Sequence, residues 1–78
     1  MIDLLKNIEK IQTTELGLVR IKKNLSLTID DVVSWCKETT KVADKIIEKG
    51  KNWYVYKDDI VITINTSSYK IITAHKIK

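Results

Sequence analysis

The sequence predicts an α+β fold: two or three N-terminal helices packed on one face of a three- or four-stranded antiparallel sheet. Two patterns carry this expectation. Up to about residue 40, apolar side chains recur at helical spacing; from about residue 45 to 77 they alternate as on strands. Composition agrees with a small folded domain: 78 residues, 44% hydrophobic and 31% charged, with two glycines and no proline. No repeat, linker or break in composition divides the chain, so residues 1–78 read as one domain.

The elements follow in order. Ile2, Leu5 and Ile8, with Leu4 and Ile11, predict a first helix over 2–11. Thr13 or Thr14 can cap a second helix whose apolar stripe is Leu18, Ile21 and Leu25, with Arg20 and Lys23 turned away from it. Thr28 has the chemistry of an N-cap, followed by Asp30 and Asp31 where a helix dipole favours acids. Ile29, Val32, Val33 and Cys36 would form that helix's buried face, with Trp35 at its edge. Segment 41–49 suits either a helix through Val42 and Ile46 or a strand through Ile46 and Ile47; the strand is preferred.

Three segments after it are rich in β-branched and aromatic residues: 52–57, 60–65 and 69–75. Asp58-Asp59 fits a two-residue hairpin, Thr66-Ser67-Ser68 a three-residue connection, and Lys49-Gly50-Lys51 a turn in which Gly supplies positive φ. These lengths set Val55 opposite Ile62, Trp53 opposite Ile64, Asn65 opposite Tyr69, Thr63 opposite Ile71 and Val61 opposite Thr73. Side chains alternate along a strand, so Trp53, Val55, Ile60, Ile62, Ile64, Ile72 and Ala74 would face the helices. The other face would collect Asn52, Tyr54, Tyr56, Val61, Thr63, Asn65, Tyr69, Ile71, Thr73 and His75.

Several classes of function are excluded. A single Cys permits no disulfide framework, and one Cys with one His no closed zinc site of the usual kind, so no metal or other cofactor is expected. No apolar run approaches the roughly 18 residues of a membrane span, and no signal-peptide pattern is visible; the chain reads as soluble and cytoplasmic. A net charge of +4 and a pI near 9.2 bias the protein toward acidic partners.

The polar sheet face is the candidate site. Tyr54, Tyr56 and Tyr69 can stack on bases, Lys49 and Lys51 can hold phosphates, and Asn52, Asn65 and Thr63 can bond base edges. The plain alternative is the solvated outer face of an antiparallel sheet. His75 is the single histidine, the residue type suited to general acid or base catalysis near neutrality, with Thr73 on the same face. Metal-free RNA cleavage would need such a base, an acid for the leaving oxygen and a cation for the phosphorane; one of the tyrosines, and Lys49, Lys51 or Arg20, could fill the last two roles. A lone His at a strand end is more often an ordinary surface residue. Cys36 reads as a small buried hydrophobe, a Cys–His nucleophile pair being the alternative. Lys49-Gly50-Lys51-Asn52 joins two strands and is not a P-loop.

Gly50-Lys51-Asn52-Trp53-Tyr54, then Ile62-Thr63-Ile64-Asn65, then Ser68-Tyr69-Lys70-Ile71-Ile72-Thr73-Ala74-His75 together resemble a small bacterial family known only as a domain of unknown function. Thr14-Glu15-Leu16-Gly17, Arg20-Ile21-Lys22, Asp31-Val32-Val33 and Trp35-Cys36-Lys37 fit the same family, which implies no activity. More distantly, helices followed by an antiparallel sheet ending in Thr-Ala-His look like ribonuclease toxins of the barnase–colicin–RelE superfamily. That likeness implies metal-independent cleavage through His75, Thr73, Arg20 and Tyr54 or Lys51. The chain departs from these toxins in having Gln12 and Thr13, not a strong base, before its second helix. Three readings follow: an RNA-binding protein or ribonuclease acting through the polar face; a non-enzymatic module, such as an antitoxin-like or phage-encoded inhibitor docking on a host nuclease; and a homodimer whose sheet faces pair.

Overall fold

The computed structural model describes residues 3–25 and 31–77. Three helices precede a four-stranded antiparallel sheet: α1 (Asp3–Lys6), α2 (Glu15–Leu25), α3 (Val32–Lys41), then β1 (Lys45–Lys49), β2 (Asn52–Lys57), β3 (Ile60–Asn65) and β4 (Ile71–Lys76), in spatial order β1-β2-β3-β4. The expected α+β architecture is therefore present in its four-stranded form, and the ambiguous 41–49 segment divides between the last turn of α3 and β1.

Local chemistry sets the helix limits. The first expected helix is short and gives way to a 3-10 turn at Ile8–Lys10. Thr14 accepts from the Gly17 backbone N–H at 3.0 Å and starts α2, as one of the two expected caps. Thr28, Ile29 and Asp30 lie outside the described residues, as does Ile2. The described N-cap of α3 is Asp31, whose Oδ1 accepts from the Ser34 N–H at 3.0 Å. At the other end of α3, the buried Thr39 and Thr40 hydroxyls donate to the carbonyls of Trp35 and Cys36, each at 2.7 Å.

The core forms where α2 and α3 cover one side of the sheet. Leu4, Ile11, Ile21, Leu25, Val32 and Cys36 pack there against Trp53, Val55, Ile62, Ile64, Ile71 and Ala74. α2 lies over β4, where a Cβ on Gly17 would come within 2.5 Å of the Thr13 hydroxyl and 3.5 Å of the Ile71 carbonyl. Trp53 is buried, and its indole N–H donates to Glu48 Oε1 at 3.2 Å.

The β2–β3 pair keeps the expected register, and β1 pairs with β2 from Lys45 opposite Tyr56 to Lys49 opposite Asn52, with Gly50 (φ 63°) and Asp58 (φ 54°) supplying left-handed turn residues. The β3–β4 register is different. Thr63 pairs with Thr73 and Val61 with His75, but Ile64 pairs with Ile71, so Ile72 is an extra residue on β4. Two local features cause the change. The connection extends through Tyr69, whose φ is 59°, and Asn65 Oδ1 accepts from the Ser67 and Ser68 N–H groups, both at 2.9 Å. As a result Ile71 and Ile72 exchange places with expectation: Ile71 is in the core and Ile72 is 42% exposed. Thr73 and His75, shifted by an even number of positions, keep the face the sequence predicted for them.

A candidate nucleic-acid interface on the open sheet face

No described helix covers the second sheet face, and pairing arranges its side chains in rows. One row runs Lys45, Tyr56, Val61, His75; the next runs Ile47, Tyr54, Thr63, Thr73; Lys49, Asn52 and Asn65 start a third. Two tyrosines thus stand next but one along β2, about 7 Å apart by strand rise. Val61 and Thr63 are buried although they belong to this face, so they form a floor beside the half-buried rings. Lys45 places its ammonium 5.9 Å from the Tyr56 ring centroid.

Charge is distributed unevenly. None of these open-face strand positions carries a carboxylate. Glu48 points to the helix side with Trp53, and Asp58 and Asp59 sit in the β2–β3 turn. Residues 45–78 contain seven Lys against Glu48, Asp58 and Asp59, a net +4, while residues 1–44 carry seven bases and seven acids. The whole formal charge of the protein therefore resides in the segment that builds the sheet.

Among the predicted site residues, the structure brings together Tyr54, Tyr56, Thr63, Thr73, His75, Asn52 and Lys49, with Lys51 in the adjoining turn. Two others, Tyr69 and Arg20, lie elsewhere, and Asn65 is on the face but engaged in a turn. Tyr69 is on the helix side, its ring 5.2 Å from that of Trp53 and topped by the Lys10 ammonium at 5.6 Å. The loop that shifts the β4 register carries it there. Arg20 is exposed on α2, in the helix layer behind the sheet from the imidazole. Asn65 begins the third row, but its side-chain oxygen is committed to the 66–68 turn, including a contact with Ser68 Oγ at 3.2 Å.

The groups around His75 bear directly on catalysis. Its side chain is exposed and makes no hydrogen bond or ion pair with any described residue. Cys36 is fully buried on the opposite side of the sheet, and burial pushes its thiol up to about 12, so it forms no nucleophile pair with the imidazole. Among the described residues no cluster of three or more His, Cys, Asp or Glu is placed to hold a metal ion, and no helix is long and apolar enough to cross a membrane. Sequence reasoning missed Lys45 and Ile47, which join the face through β1. The signal was the Lys45-x-Ile47-x-Lys49 alternation in the segment preferred as strand, whose faces the sequence reading leaves unassigned.

Fold and face together define a small α+β domain with a basic, tyrosine-bearing open sheet. The chain belongs to a family described as a protein of unknown function, DUF3781, whose model matches residues 5–75. No curated protein and no solved structure matches it.

Proposed function

We propose that the protein binds single-stranded RNA on the open sheet face, as a binding protein rather than a nuclease. The observation that carries this reading is the pairing of two aromatic rings on one strand with a surrounding face that has lysines and no carboxylate. Tyr54 and Tyr56 offer stacking platforms to successive unpaired bases, and Lys45, Lys49 and Lys51 line the β1 side, where the phosphates would run. Thr63, Thr73 and Asn52 supply hydroxyl and amide groups within the same rows for base edges or ribose. Duplex RNA hides its bases from such a platform, so unpaired strands are the favoured ligand. Cleavage has weaker support: the imidazole stands alone, and Arg20 is in the other layer.

Fluorescence anisotropy with labelled single-stranded RNA, duplex RNA and single-stranded DNA, at low and high salt, tests the reading. Saturable binding of single strands that weakens with salt and exceeds duplex binding is expected. Absence of binding at low salt, alongside a stable complex with a nuclease, would replace it with the protein-inhibitor reading.

A further inference from the structure

The outward face of α2 combines exposed apolar side chains with a reciprocal charge pattern. Gly17, Ile21 and Leu25 are buried toward the sheet, whereas Leu16 is 79% and Val19 63% exposed. At 3.6 residues per turn, Leu16, Val19 and Lys23 lie on the side of the helix opposite the buried stripe. Glu15 and Lys22, seven positions apart, share one flank of that outward face, and neither makes an ion pair with a described residue. We propose that α2 is a self-association surface on which a second copy of this chain packs its own α2 antiparallel.

The charge pattern argues for a second copy as the occupant. With a two-fold axis midway between positions 18 and 19, Glu15 of each copy lies level with Lys22 of the other, on the same flank. The symmetric contact therefore makes two opposite-charge pairs. Val19 meets its own counterpart near the axis, and Leu16 packs beside it. Lys23 falls at the end of the contact, where its stem can lie along the apolar strip with its ammonium in water. A chain of 78 residues has a small core, which favours covering such a strip. This arrangement leaves both open sheet faces outward, so it is independent of what those faces bind.

Sedimentation equilibrium from micromolar to submillimolar concentration tests the proposal, with folding of each variant checked by amide NMR dispersion. A monomer–dimer equilibrium is expected, weakened by Leu16→Glu and by Val19→Asp. Glu15→Lys and Lys22→Glu singly should each lower association about tenfold, and the double reversal should restore it to within about threefold. A monomer throughout the range overturns the proposal. So does a dimer that survives Leu16→Glu, a double reversal that restores nothing, or a dimer broken by Tyr54→Ala, which would put the contact on the sheet faces.

Discussion

Val61 pairs with His75 across β3 and β4 and with Tyr56 across β2 and β3, so imidazole and phenol share one row with the valine between them. That row joins the ambiguous first strand to the last, and Lys45 completes it. The face depends on an even shift: had β4 slipped by one residue, Thr73 and His75 would point under the helices.

The lysines on the β1 side should govern salt dependence. Each phosphate neutralised contributes a slope of about −0.7 in log K against log salt for single strands. Lys45→Ala, Lys49→Ala and Lys51→Ala should each weaken binding across all sequences and flatten that slope by up to one such increment. Lys41→Ala, on the helix layer and paired at 3.4 Å with Glu38, should leave the slope unchanged. Anisotropy titrations at four salt concentrations measure this.

Asn65 is assigned a structural role, and that role separates stability from binding. Replacing it with Ala removes the acceptor for two backbone N–H groups and the Ser68 hydroxyl. The expected cost is about 1–2 kcal/mol by chemical denaturation. RNA affinity of the folded variant should change less than about twofold, well short of what losing a base contact would cost. A large affinity loss at unchanged stability would return Asn65 to the ligand.

Asp31 links stability to pH. The Ser34 backbone N–H and then its hydroxyl hold this carboxyl below its usual value of 3.8, with lesser help from Lys37. A carboxylate depressed in the folded state adds stability that is complete above about pH 4–5 and fades as pH falls through its folded value. Asp31→Asn keeps a cap acceptor without the titrating charge, so the Tm of this variant should depend less on pH between about 5 and 2.5 than that of the wild type. Thermal melts across that window provide the check.

Cys36 should be inert in the native protein. With its side chain buried and the thiol held at about 12, it has almost no thiolate at neutral pH. A thiol reagent should label it only at the rate of opening, and denaturant should accelerate labelling by orders of magnitude. Rapid labelling of native protein would contradict its place in the core.

Much of this was legible in the sequence because side-chain period is a direct consequence of backbone geometry. The alternation through Trp53–Lys57 and Ile60–Asn65 defines a half-buried hairpin, and the Asp58-Asp59 spacing fixes its register. The β4 register was not legible. Counting Thr66–Ser68 as the loop treats Tyr69 as strand, whereas its left-handed φ and the Asn65 side-chain bonds extend the connection. The extra residue at Ile72 has no sequence signature, since Ile71 and Ile72 are chemically identical candidates for the core. Arg20 joins His75 in the sequence reading by residue type and by likeness to the ribonuclease toxins, and neither says which side of a sheet a helix occupies.

The most direct measurement of the central claim is an amide and side-chain NMR titration with a short single-stranded RNA, repeated with Tyr54→Ala and Tyr56→Ala. Resonances of Tyr54, Tyr56, Thr63 and Thr73 should shift together while those of Ile21, Val32 and Cys36 stay in place. Each alanine variant should weaken affinity by about tenfold or more, in keeping with about 1–3 kcal/mol per stacked base. Shifts confined to α2 and α3, or binding indifferent to both tyrosines, would contradict the assignment of function to the open face.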